Sequence, residues 1–150
     1  YSGNSRKTAL EQELGAQYRS LDQLLAEADF VCLVVPLGAN TRHLIGEREL
    51  KLMKPSAFLV NVSRGPVVDE AALVAALQQG TIRGAGLDVY EKEPLSESPL
   101  FQLANAVTLP HVGSATAETR EAMANRAIDN LRAALLGERP RDLVNPQVWK

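Results

Sequence analysis

Short continuous apolar runs alternate along the chain with stretches in which apolar residues recur every three or four positions. The run Phe30-Val-Cys-Leu-Val-Val35 closes at Pro36, and its unbroken apolar character predicts a strand buried on both faces. Residues 57–62 predict a second strand, and residues 85–89 and 106–109 two shorter ones. Between them lie helix signals. Ser20 and Gln23 have capping-box spacing, followed by Leu21, Leu24, Leu25 and Ala28 on one face. Asp69 is placed to cap a helix carrying Leu73, Ala76 and Leu77, and Gly80 is placed to stop it. From residue 115 to 136 the pattern predicts one long helix, with Glu118 and Glu121 early and Gly137 after its end. Met123, Ala127, Leu131 and Leu135 form its expected buried stripe.

Strands alternating with helices in this way make βαβ units and a parallel α/β sheet, whose ligands bind at the carboxyl ends of the strands. The chemistry-bearing residues fall there. Arg64, in Asn61-Val-Ser-Arg-Gly65, follows an apolar strand. Its planar fork suits a carboxylate, and Gly65 allows the backbone to approach a ligand closely. His111 follows Pro110 at a strand end, with Gly113-Ser-Ala-Thr116 after it, and an imidazole can give and take a proton near neutral pH. Glu93 lies in a charged segment ended by Pro94; beside His111 it would favour the imidazolium form. Asp88 is a second carboxylate at the same sheet edge, able to accept from a cofactor amide or to cap a turn. Each residue also has a plain structural alternative as a surface or turn residue. His43, in a polar loop without a strand end or glycine turn, reads as solvated.

Composition narrows the classes. A chain of 150 residues suits one domain with a real core, and its net charge of −2 gives no electrostatic reason to expect nucleic acid or membrane. No apolar run approaches the ~20 residues that span a bilayer. The single Cys32 excludes an internal disulfide and, within an apolar run, reads as core packing. No leader-like stretch opens the sequence, no metal site is expected, and a cytoplasmic location is. The chain opens on Tyr1 rather than Met and runs directly into Ser2-Gly-Asn-Ser-Arg-Lys7, as though a strand had just ended, so it reads as a fragment.

Taken together, several segments resemble the D-isomer-specific 2-hydroxyacid dehydrogenases. They are Val34-Val-Pro-Leu37 with Thr41 and Leu44-Ile-Gly46, Met53-Lys54, Asn61-Val-Ser-Arg-Gly-Pro-Val-Val-Asp-Glu70, Gly86-Leu-Asp-Val-Tyr-Glu-Lys-Glu-Pro-Leu95 and Pro110-His-Val-Gly-Ser-Ala-Thr116. The resemblance implies the second half of a Rossmann-type doubly wound parallel sheet over residues 1–115. It implies that residues 116–150 are a C-terminal segment returning to the substrate domain. It implies that Arg64 binds the substrate carboxylate, that His111 donates the proton, and that Glu93 tunes it. Asp88 would contact the nicotinamide end of the cofactor, while Pro36, Thr41, Val62, Arg64, His111 and Gly113 would line the dinucleotide.

The Gly-x-Gly-x-x-Gly phosphate turn of such domains is absent from the chain, and Gly84-Ala-Gly86 leads into a strand instead. NAD users place an acid at the end of the second strand. Here Ser5, Arg6 and Lys7 stand in that neighbourhood and the first acid is Glu11, which favours NADP(H) over NAD(H). Within the family the look is most similar to glyoxylate/hydroxypyruvate and 2-ketogluconate reductases. The expected partner is therefore a small 2-oxo acid, reduced to the D-2-hydroxy acid, and the intact protein is expected to be a homodimer. The alternative is a dinucleotide-sensing, corepressor-like binding protein on the same scaffold.

Overall fold

The computed structural model describes residues 1–149. Four strands, β1 (Phe30–Leu33), β2 (Phe58–Asn61), β3 (Gly84–Leu87) and β4 (Ala106–Thr108), form one sheet in the order β1-β2-β3-β4. Every pairing is parallel, with Val31 opposite Leu59, Leu59 opposite Ala85, and Ala85 opposite Ala106. Five helices accompany them: α1 (Thr8–Leu14), α2 (Leu21–Glu27), α3 (Glu47–Leu52), α4 (Glu70–Gln79) and α5 (Ala117–Leu135).

The local signals act as written. The Ser20 hydroxyl accepts the Gln23 amide while the Gln23 side chain accepts the Ser20 amide, starting α2. Asp69 accepts from the Ala72 amide at 2.9 Å, and Gly80 closes α4 in the left-handed region at φ 69°. The periodicity missed α3, whose six residues are too few to reveal a period; Leu50 anchors it in the core. Leu25, Leu50, Leu73 and Leu77 pack with Val31, Leu33, Leu59 and Leu87 in one cluster, so the helices bury alternate positions of the strands.

The other positions of those strands correct the expectation of two buried faces. Phe30 is 68 % and Val34 77 % exposed, and Cys32, Val62 and Val107 are exposed as well. The run at 30–35 is apolar on both sides, yet among the described residues only one side is covered. Cys32 points to the bare side and is not core packing.

The chain divides into two compact units, Tyr1–Pro110 and His111–Lys150. The second contains α5, capped by the Thr116 hydroxyl, which accepts from the Thr119 amide at 3.2 Å. Its predicted buried stripe is corrected too: Met123, Ala127, Leu131 and Leu135 are all exposed. The apolar spacing is real, but burial needs a partner surface as well as a pattern. No helix among the described residues is long and apolar enough to cross a membrane, and none of their His, Cys, Asp and Glu side chains form a group able to hold a metal ion.

Candidate functional site

The turn after β2 is built around Asn61, a polar side chain with 1 % exposure in an otherwise apolar core. Its Oδ1 accepts from the Ser63 amide at 3.1 Å and the Ser63 hydroxyl at 2.9 Å, while its Nδ2 donates to the Arg64 carbonyl at 3.1 Å. A buried amide whose donor and acceptor are both engaged fixes the local backbone, because losing either bond would leave a polar group unsatisfied. Arg64 is therefore presented by a rigid turn, extended at φ −141° and exposed to solvent. Its Nη1 donates to the Ser63 carbonyl at 2.7 Å, which steadies the guanidinium and leaves the Nε–Nη2 edge of the fork for a carboxylate. The role of Asn61 went unread in the sequence. The available signal was an asparagine ending an apolar strand that is buried on that side.

Arg64 stands at the rim of a cleft of about 570 Å³, walled by Val34, Val35, Pro36, Leu37, Val62 and Ser63. The cleft lies across the carboxyl ends of β1 and β2, where open α/β sheets take their ligands. Thr41 shapes this wall from behind. Its hydroxyl donates to the Pro36 carbonyl at 2.6 Å and accepts from the Gly38 amide at 2.8 Å, closing the loop that carries Pro36. Apolar walls with one cationic fork at the rim fit the nicotinamide end of a dinucleotide beside an anionic substrate.

The loop after β3 is locked to the Arg64 turn. Asp88 is buried, and its amide donates to the Asn61 carbonyl at 3.0 Å. A Cβ on Gly65 would stand 1.8 Å from the carbonyl carbon of Tyr90 and 2.5 Å from the Glu91 nitrogen. This corrects the expectation for Gly65: the close approach it permits is to the Tyr90–Glu91 backbone, not to a ligand. Glu93 accepts from the Tyr90 amide at 3.0 Å, so its carboxylate is folded onto the same loop. The Tyr90 hydroxyl donates to the Leu109 carbonyl at 2.8 Å, reaching the end of β4. Burial is the main reason its phenol is pushed above the ordinary value of 10.0.

His43 is not a merely solvated loop residue. It adopts φ 50°, its amide donates to the Pro66 carbonyl at 2.8 Å, and its Nε2 lies 2.6 Å from Glu91 Oε1. The Glu91 amide in turn donates to Glu70 at 3.2 Å. The loops bearing Pro36, Arg64 and Glu93 are thus tied to one another, and Arg64 and Glu93 belong to one connected framework.

His111 and Gly113 belong to the second unit. His111 is exposed and adopts φ 54°, a left-handed conformation that few non-glycine residues take. Backbone held in such a region is concentrated at active sites and ligand clamps. Sequence alone carried no sign of it.

Near the start of the chain, Arg6 is not a bare basic turn. Its Nε donates to Glu11 at 2.9 and 3.0 Å and its Nη2 at 2.8 Å. This corrects the expectation that the neighbourhood of Ser5, Arg6 and Lys7 is free of acid: the turn into α1 carries Glu11 back onto Arg6. The Arg6 bonds, and next the Tyr1 hydroxyl, hold the Glu11 carboxyl below its usual range.

A parallel sheet with a cleft at its strand ends, an arginine presented by a buried asparagine, and a buried aspartate at the next strand end are features of a dinucleotide-binding α/β domain. Residues 1–113 match the family described as "D-isomer specific 2-hydroxyacid dehydrogenase, NAD binding domain". The chain belongs to that family. It is 56% identical over 151 residues to a glyoxylate/hydroxypyruvate reductase B of Pectobacterium carotovorum, spanning 100% of this chain and 47% of the relative. A Yersinia pestis protein of the same name is 56% identical over 149 residues, 99% of this chain and 46% of the relative.

Solved structures agree. An NADPH-dependent glyoxylate/hydroxypyruvate reductase from Sinorhizobium meliloti, in complex with NADP and malonate, superposes with a TM-score of 0.82 at 41% identity, over 89% of this chain and 41% of that one. D-Lactate dehydrogenase from Aquifex aeolicus, complexed with NAD and lactic acid, does so with a TM-score of 0.83 at 32% identity, over 91% and 46%. The chain spans about half the length of the relatives it matches.

Proposed function

We propose that this chain is the catalytic half of an NADPH-dependent reductase that converts a small 2-oxo acid, of the glyoxylate, hydroxypyruvate or 2-ketogluconate kind, to the D-2-hydroxy acid. The observation that carries the reading is Arg64, held by Asn61 at the rim of the strand-end cleft. Its Nε–Nη2 edge receives the substrate carboxylate in two parallel bonds, fixing which face of the ketone is presented. His111 delivers a proton to the carbonyl oxygen as it becomes an alkoxide. Glu93 is the carboxylate proposed to partner that imidazole. Asp88 and the walls at Pro36 and Val62 orient the nicotinamide, which supplies the hydride when bound. Thr41 holds the Pro36 wall in place.

Ser5, Arg6 and Lys7, all exposed, are the groups proposed to meet the 2′-phosphate. That the S. meliloti relative is NADPH-dependent supports NADPH as the cofactor. The phosphate-binding glycine turn and the rest of the substrate domain are proposed to lie in further chain, as the roughly twofold length of the relatives supports, and helices of that chain are proposed to cover the bare sheet face beside the cleft. Residues 116–150 are read as the segment rejoining the substrate domain, with the cofactor domain at 1–115. The intact protein is proposed to be a cytoplasmic homodimer.

Initial rates of the full-length protein with NADPH and NADH across the three acids test the reading. NADPH is expected to be preferred, and at least one of the acids reduced. Arg64→Ala is expected chiefly to raise KM for the acid, and His111→Ala to abolish reduction. Glu93→Gln is expected to lower kcat while leaving KM for the acid within about twofold, because the carboxylate acts on the proton donor and not on the substrate carboxylate. An unchanged kcat with Glu93→Gln removes Glu93 from the mechanism; full activity of His111→Ala removes the mechanism itself.

A further inference from the structure

The Arg6 ion pair is the outer end of a longer chain of contacts. The Lys7 amide donates to the Tyr1 hydroxyl, and that hydroxyl donates to Glu11 at 2.7 Å. Glu11 in turn accepts from both Nε and Nη2 of Arg6. Tyr1 is itself fixed. Its carbonyl accepts from the Arg19 amide at 2.9 Å, its ring meets Tyr18 edge-on at 5.5 Å, and the Tyr18 hydroxyl donates to the Gly3 carbonyl at 3.2 Å. The ends of the pair differ sharply in exposure: the Arg6 side chain is 66% exposed and the Glu11 side chain 11%.

A guanidinium offers two useful edges. Here the Nε–Nη2 edge is taken by the Glu11 carboxylate, so the Nη1 side of this exposed side chain is the one left for another partner. We propose that Glu11, braced by Tyr1, is a positioning residue that presents the outer edge of Arg6 to the 2′-phosphate of NADPH. The inference rests on the NADPH reading above and adds to it two residues that touch no cofactor. Two opposing effects decide its sign. Glu11 repels a phosphate, but it lies on the far side of the guanidinium, and the exposed site is screened by water and salt. Pre-ordering of a long, flexible side chain acts in the other direction and is retained whenever the phosphate binds. Pre-ordering is the larger effect here because three short contacts hold one end of the fork. Both partners titrate in the direction of a formed pair, with Glu11 lowered and Arg6 raised.

The test is binding, measured on the full-length protein by the fluorescence of NADPH and NADH, with adenosine 2′,5′-bisphosphate and 5′-AMP as competitors. Glu11→Ala is expected to weaken NADPH and the bisphosphate by about tenfold while leaving NADH and AMP within about twofold, the loss typical of a misaligned charge-assisted fork. Glu11→Gln keeps an acceptor for Arg6 and recovers part of that loss. Tyr1→Phe keeps the ring against Tyr18, removes only the brace, and gives a smaller loss of the same selectivity. Tighter NADPH binding by Glu11→Ala makes Glu11 a competitor of the phosphate and overturns the proposal, as does no change. Equal weakening of NADPH and NADH makes the role merely structural and overturns it too. Arg6→Ala separates the two levels. If it leaves the NADPH/NADH ratio untouched, the NADPH reading fails and takes this proposal with it. If it lowers the ratio while Glu11→Ala does not, only the proposal falls.

Discussion

The two faces of the sheet carry similar residues and have opposite fates. On one, Val31, Leu33, Leu59 and Leu87 are buried with Leu25, Leu50, Leu73 and Leu77. On the other, Phe30, Val34, Val62 and Val107 are exposed. Successive side chains of a strand point to opposite faces, so the contrast is drawn between neighbours on the same strand. What differs is the presence of a helix, not the chemistry of the residue. The site follows the same division. Asn61, on the covered face, is locked and presents Arg64, whereas Val34 and Val62 on the bare face line the open cleft.

The largest effect is expected on the covered face. Leu59→Ala in the central strand β2 removes a side chain with no exposure, and thermal or urea unfolding is expected to show a loss of roughly 4 kcal/mol. A loss below that of an ordinary surface change would mean the helices do not pack as described. Next comes the junction beside the site. Gly65→Ala drives a methyl into the Tyr90 backbone and forces the two loops apart, at roughly 3 kcal/mol. Because Glu93 rides on the Tyr90 loop, the same variant is expected to reduce turnover of the intact enzyme.

Tyr90→Phe is milder, on the order of 1 kcal/mol, since it removes the hydroxyl that binds the Leu109 carbonyl. It also carries a pH signature. Burial raises the phenol in the folded state, so its contribution is complete below the ordinary value of 10.0 and is lost as pH rises through the folded value. Alkaline destabilisation is therefore expected to be blunted in Tyr90→Phe; an unchanged alkaline limb would place the weakness elsewhere. The smallest effect falls on the bare face. Val107→Ser, outside the cleft, is expected to change the stability of residues 1–150 by no more than about 0.5 kcal/mol. In the longer protein proposed above the same change is expected to cost several times more, because that part of the face is then covered. Equal effects in both would break the comparison.

Elements with nearby causes were legible in the chain. Ser20 with Gln23, and Asp69 with Ala72, act across three residues, so α2 and α4 begin where their caps stand. The parallel sheet followed from alternation of the two periods. The residue types at the strand ends, Arg64, Asp88, Glu93 and His111, were legible as chemistry before any contact was known. Less legible were the supports. Asn61 reads as one more polar residue until its burial is known, and Gly65 is explained only by the Tyr90 backbone passing beside it. His43 meets Glu91 across 48 positions, which no local pattern records.

Periodicity told which residues of β1 and α5 are apolar, but not which are buried. Apolar spacing is a property of the chain, while burial is a property of what packs against it. Caps, the alternation of strand with helix and the candidate reactive groups depend on neighbours within a few residues or on simple alternation, and sequence sufficed for them. The bare sheet face, the Asn61 cradle under Arg64, the left-handed backbone at His111 and the Glu11 brace on Arg6 required folded coordinates. Each is set by atoms brought together in space, or by a backbone conformation that residue identity alone does not impose.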